Sequence, residues 1–221
     1  MIAMLATFLL AATAVPAHPP MPADADFAAW VTQDGVVETR AQPKGLARPF
    51  VRGTSEIDAS CDAVKGVLVD FAHYKTFFSG IVREAKVLAQ DDASARIHFV
   101  WAYPWPLHDR DSVVGYTLTK PESGGWLLSW QDDAQSGDPK DGVRIAHVEG
   151  ATRMVPKADG ACTVSYTYYG DLGIDLTKAM NEKILRTEPV KYVEAIRKGL
   201  NLPKPAASAT PSPRTTPPVA R

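Results

Sequence analysis

The stretch Trp101-Ala-Tyr-Pro-Trp-Pro-Leu-His-Asp-Arg-Asp111 limits what this chain can become, because two prolines close together cannot lie inside a paired central strand. It separates two runs that alternate with period two. From Ala95 to Tyr103, one face holds Ile97, Phe99, Trp101 and Tyr103, and the other holds Arg96, His98, Val100 and Ala102. From Arg110 to Thr119, one face holds Arg110, Ser112, Val114, Tyr116 and Leu118. Each pattern is that of a half-buried strand. If the second strand starts at Arg110, its guanidinium points to the face with the larger apolar side chains. A charge there needs a carboxylate, a water cluster or a ligand, because burying it alone costs several kcal/mol or more, of order the cost of a buried ion.

The flanking segments extend the reading. Asp26 to Val31 reads as a short helix, followed by strands at Val36 to Ala41 and Phe50 to Asp58, split by Pro43-Lys-Gly45. A helix follows, capped by Asp58 or Ser60 and stopped by Gly80, with Val64, Val67, Leu68, Phe71 and Phe78 on one face. Strands are then expected at Val82 to Leu88, Ala95 to Tyr103, Arg110 to Thr119, Trp126 to Gln131, Val143 to Val155 and Cys162 to Asp171. The closing helix, Thr177 to Leu200, carries Met180, Ile184, Thr187, Val193, Ile196 and Leu200 on its apolar side, with a kink expected at Pro189.

A helix, a long antiparallel meander and a terminal amphipathic helix define an α+β fold in which the last helix covers the sheet. The inward candidates are Phe99, Trp101 and Tyr103, then Val114, Tyr116, Trp126 and Trp130, then Tyr166 and Tyr168, with Ile184 facing them from the helix. Such side chains either pack a dry core or line a pocket for a hydrophobic ligand with a few polar handles. Alternation by itself leaves both open.

Tyr103-Pro-Trp-Pro-Leu-His-Asp-Arg-Asp111 resembles the Pro-Trp-Pro-Leu-x-Asp-Arg-Asp signature of START (steroidogenic-acute-regulatory-protein-related lipid-transfer) domains, within the START-like or SRPBCC superfamily. The likeness extends over Ala29-Trp30, Asp34-Gly35-Val36-Val37, Arg40, Phe50 to Ala59 and Val143-Arg144, roughly residues 24 to 200. It departs at Gly170 to Thr177, where the family's Gly-Gly-x-x-Pro is absent. The resemblance implies a helix-grip fold: a curved antiparallel sheet around the long C-terminal helix, with a hydrophobic cavity between them. It implies that Arg110 faces that cavity and contacts a ligand's polar end, directly or through water. The alternative is a structural pairing of Arg110 with Asp109, Asp111 or Glu84. It also places the strands ending near Cys61 and starting at Cys162 side by side, so these two cysteines are expected to form a disulfide; the alternative is two buried thiols. Trp105 is expected to anchor its turn, with a cavity rim or a membrane contact as the other readings.

Residues 1–17 are apolar and end in Ala12-Thr-Ala14 and Val15-Pro-Ala17, patterns suited to signal-peptidase cleavage near Ala14 or Ala17. They are read as a signal peptide, with an uncleaved anchor as the alternative, and imply a periplasmic or secreted location. Residues 203–221, rich in Pro, Ala, Ser and Thr, are read as a disordered tether, or else a partner motif. Between them, residues 22–202 form one domain, expected as a monomer.

A formal net charge of −1 gives no basic field for nucleic acid. His18, His73, His98, His108 and His147 have no metal-ligand spacing, and no nucleophile elbow or phosphate loop occurs. His98 is read as solvent-facing. No metal, cofactor or catalytic set is expected. Three functions remain: an exported lipid or hydrophobic-ligand carrier with transient membrane contact, a cyclase or aromatase using the same pocket, and, lowest, a protein-binding module.

Overall fold

Among the described residues ten strands form, and central ones such as Phe50–Ile57, Ser94–Trp101, Arg110–Thr119 and Cys162–Asp171 are among the most deeply buried. The computed structural model describes residues 20–203 except 104, 106, 134–142, 146 and 175; the signal peptide read at 1–17 and all but Pro203 of the tail lie outside them. The strands are β1 (Ala28–Gln33), β2 (Val36–Ala41), β3 (Phe50–Ile57), β4 (Val82–Gln90), β5 (Ser94–Trp101), β6 (Arg110–Thr119), β7 (Trp126–Asp132), β8 (Val143–Arg144), β9 (His147–Pro156) and β10 (Cys162–Asp171). They form one sheet in the order β1-β2-β3-β10-β9-β7-β6-β5-β4, with β8 beside β6. The helices are α1 (Cys61–Val69), α2 (Tyr74–Phe77) and α3 (Lys178–Gly199). The α+β architecture, with a large antiparallel sheet and a C-terminal helix packed on it, is the one expected.

Several boundaries differ. The expected helix at Asp26 to Val31 is a 3-10 turn at Asp24–Asp26 followed by β1. The cause is Asp34-Gly35: both have positive φ, 48° and 75°, and they close a two-residue hairpin with Gln33 opposite Val36. This is the turn geometry that Asp-Gly favours between twisted strands. The expected single helix after Ser60 is broken at Asp70. Ser60 caps α1 by accepting from the Ala63 amide at 3.2 Å. The Asp70 carboxylate then pairs with His73 Nδ1 at 2.8 Å, and the chain turns through Phe71–His73 into α2. The run from Val143 splits because β8 pairs in parallel with the start of β6, whereas β9 pairs with β7 and β10.

α3 starts at the Thr177 cap and continues through Pro189. Pro189 lies against Gly53 of β3, where a Cβ would come within 2.4 Å of the proline's own Cβ. A glycine is therefore required for the helix to settle on the sheet. Leu185, Val190, Val193 and Ile196 bury the sheet-facing side of α3. Cys61, the first residue of α1, is bonded to Cys162, the first residue of β10, with Cα atoms 5.0 Å apart. The geometry follows from register: Cys162 lies opposite Ile57 at the end of β3, four residues before Cys61.

Candidate ligand-binding cavity

The side chains that could meet a ligand come from the concave face of the sheet, where successive strands present residues of one parity. β6 presents Val114 and Tyr116, and the paired β7 presents Trp130 opposite Tyr116. Across β9, Gly150 lies opposite Trp130, and a Cβ there would be 2.5 Å from the indole, so the glycine makes room for the ring. β10 adds Tyr166 and Tyr168. From the other side come Tyr74 and Phe78 around α2 and Tyr192 on α3. These residues, with Trp101, Tyr103 and a few aliphatic side chains, line a cavity of about 670 Å³, measured between atom surfaces and including the part open to solvent.

The walls are held by one another. Tyr166 stacks on Tyr192 at 3.8 Å between centroids, and Trp130 stacks on Tyr166 at 5.6 Å. The space is therefore a slot between rings. Each polar tip tied to the wall has a definite partner: Tyr192 Oη with Thr152 Oγ1 at 2.7 Å, Trp101 Nε1 donating to Ser112 Oγ at 2.7 Å, and Tyr74 Oη donating to the Leu68 carbonyl at 2.6 Å. Six of the chain's seven tyrosines line the cavity. Burial raises the pKa of all six phenols, so they stand neutral, as hydrogen-bonding tips on apolar bodies.

Of the eleven ligand-facing candidates from the sequence, Trp101, Tyr103, Val114, Tyr116, Trp130, Tyr166 and Tyr168 line this cavity. Tyr103 does so from the loop after β5, not from a strand, because β5 ends at Trp101. Phe99 is fully buried outside the lining, its ring tilted against Trp101 with centroids 4.6 Å apart. Ile184 is half-buried on α3 and is not in the lining. Trp126 has the right parity but stands at the α1 end of β7. Its indole donates to Asp62 at 2.8 Å, and the Lys65 and Lys120 ammonium groups approach the ring.

Arg110 is buried, as its parity requires, at 2 % exposure. None of its three expected partners pairs with it among the described residues. Asp109 pairs with Arg83 at 2.7 Å, and Asp111 pairs with His98 and Arg144. Arg110 instead donates from Nη1 to the His108 carbonyl at 2.8 Å and lies 5.9 Å from the Tyr103 ring centroid. Its Nε has no hydrogen-bond partner among the described residues. It sits behind Tyr103 and outside the lining itself. Two further expectations are corrected. His98 is not solvent-facing, because Asp111 draws it down onto the convex face of the sheet. Trp105 is 92 % exposed, so it does not anchor its turn.

Sequence reasoning missed Glu188. It lies on α3 and lines the cavity, and Tyr103, Tyr166 and Tyr168 all feel its charge. The residue is half-buried. Burial pushes its carboxyl up to about 7, against the lowering effect of Lys191. No hydrogen bond to this carboxyl occurs among the described residues. One cue was available: Leu185, Glu188 and Tyr192 fall at i, i+3 and i+7, which puts them on one face of a helix.

No family profile matches the chain. An uncharacterized protein of Pseudomonas aeruginosa is 22 % identical over 166 residues, 75 % of this chain and 82 % of that one. Among solved structures, a STAR-related lipid transfer protein fragment from Xanthomonas axonopodis superposes with a TM-score of 0.71 at 22 % identity, over 80 % of this chain and 99 % of that chain. Human STARD10 gives 0.69 at 16 %, over 81 % and 75 % of the two chains. The human StAR-related lipid transfer protein 5 gives 0.65 at 12 %, over 81 % and 88 %. With a long antiparallel sheet gripping a C-terminal helix over an aromatic cavity, the chain has the helix-grip fold of these lipid transfer structures.

Proposed function

We propose that this domain binds a lipid or another hydrophobic small molecule in the cavity between the sheet and α3, and carries it. One observation supports this above the others: a slot lined by nine aromatic rings has its polar tips neutral and its glycines placed to clear space for rings. Apolar walls with a few convergent polar groups suit such a ligand. Arg110, whose Nε has no hydrogen-bond partner among the described residues and which lies beside Tyr103, is proposed to reach a hydrogen-bond acceptor on the ligand, directly or through water. Phe99 and Ile184 would act as supports for the lining, while Trp126 lies too far toward α1 for this role.

The chain is further proposed to be exported. An apolar leader at 1–17 and the Cys61–Cys162 bridge, which an oxidising compartment preserves, support that reading. No described helix is long and apolar enough to cross a membrane.

Native mass spectrometry of protein purified from an exporting host should show a co-purifying lipid mass, and fluorescent sterol or acyl probes should bind at micromolar concentration, about −8 kcal/mol. Arg110→Leu should change occupancy or ligand choice. Failure of every probe together with a lipid-free extract would refute carriage. A bound compound released with altered mass would favour the cyclase alternative.

A further inference from the structure

The cavity's ionisable lining is one-sided. Glu188 is its carboxyl group, and no lysine, arginine or histidine lies among the described lining residues. The position is imposed by the fold. Glu188 precedes Pro189, which Gly53 holds against the sheet, and Leu185 and Tyr192 on the same helical face are buried. The carboxyl is thereby held among phenols, with the exposed Lys191 of its own helix as the cation whose charge it feels. Two buried guanidinium groups stand outside that lining: Arg110, 5.9 Å from the Tyr103 ring centroid, and Arg48, whose charge Tyr103 and Tyr168 feel.

Resting on the proposed carriage of a hydrophobic molecule, we infer that the ligand bears an ammonium group, with Glu188 as its counter-ion and the surrounding rings as its cage. Three physical terms converge on this chemistry. A carboxylate out of water without a countercharge is costly, and a bound cation removes that cost. The faces of Tyr and Trp rings attract cations, most strongly where water is excluded. An anionic ligand would meet like charge at low dielectric, and a neutral alcohol would gain a hydrogen bond but no charge pairing. Tyr103, Tyr166 and Tyr168, which face Glu188 from the β5–β6 loop and β10, stay neutral because burial raises their pKa, so none of them competes as an anion.

The test uses the mature full-length chain and three probes of one chain length: dodecylamine, dodecanol and dodecanoic acid, each displacing a fluorescent acyl probe at pH 8. The amine should bind at least about tenfold tighter than the alcohol, a difference of about 1.4 kcal/mol. In Glu188→Gln, which keeps the side-chain shape, that preference should shrink to within about twofold. Equal binding of amine and alcohol, a preference for the acid that Arg110→Leu abolishes, or an unchanged preference in Glu188→Gln would each overturn the inference. If Glu188→Gln does not fold, the wild type alone decides. Its amine-over-alcohol preference should fall as pH drops from 8 to 5.5 and Glu188 takes up a proton, and a constant preference would overturn the inference. Failure of all three probes to bind would instead count against the cavity reading itself.

Discussion

Two acidic side chains are held away from bulk water on opposite sides of this sheet, and their surroundings differ in kind. Asp111, on the convex face of β6, has no exposed surface, and both its oxygens are taken, one by His98 Nε2 and one by Arg144 Nε. Glu188, across the concave face, has neutral rings about it and no hydrogen bond among the described residues. The convex site is complete within the chain and joins β5, β6 and β8. The concave one has no such partner among the described residues. A buried charge with its partners built in is structural, and one left open toward a cavity is available for binding.

The largest way to break this contrast is Asp111→Ala, which removes the buried carboxylate that His98 and Arg144 share. It should cost about 3–5 kcal/mol of stability, as removal of one partner from a buried pair does. A loss below about 1 kcal/mol on urea unfolding would mean that the convex cluster is not structural.

The open site should instead show itself in pH dependence. Folding raises Glu188, and likewise the buried Glu38, from 4.5 to about 7. For Glu38 burial is also the chief cause, with the Gln33 amide and Arg186 acting in the opposite direction. A carboxyl raised on folding binds its proton more tightly in the native state. Its contribution is most favourable below 4.5 and is lost as pH rises through 7. Unfolding free energy should therefore fall between pH 5 and 8 by up to a few kcal/mol, on the order of 3 for each group. Glu188→Gln should flatten its share of that slope. Identical slopes in variant and wild type would show that Glu188 is solvated after all.

The smallest effect belongs to the cavity wall. Thr152→Val removes the partner of the Tyr192 hydroxyl and should cost about 1 kcal/mol, while sharpening ligand discrimination at that tip. A Tyr192 ring that loosens without any change in binding would separate the wall from the site.

How much of this was legible follows from period. β6 and β10 were bounded correctly because alternation there is unbroken and turn residues flank it. That same parity brought seven cavity residues into view. β1 was misread because Ala28-Ala-Trp-Val reads equally well as helix, and its strand state is decided by pairing across Asp34-Gly35. The break at Asp70, whose φ and ψ are −84° and 63°, is a local backbone turn that side-chain periodicity does not register. Trp126 shows the limit of parity, which gives the face but not the distance along the strand. Glu188, Tyr74 and Tyr192 were missed because a helix offers several faces, and only the docked position selects the one toward the slot. Of the two expectations for Arg110, pairing with a neighbouring carboxylate fails because Asp109 pairs with Arg83, and Asp111 with His98 and Arg144.

The placement of β10 beside β3 has a consequence for the order of assembly. A chain made from its N-terminus can form the β1–β3 ribbon early, but the second edge of β3 stays open until residues 162–171 arrive, more than a hundred positions later. Closure of the sheet is therefore among the last long-range events, and it carries the high loop-closure cost of distant pairing. Until then β3 presents an unpaired edge to other chains, the kind of interval in which strands aggregate. Cys61 waits through the same interval for Cys162. With only two cysteines in the sequence, the thiol has no wrong partner within its own chain, so oxidation can lock the late-closing seam without a shuffling step.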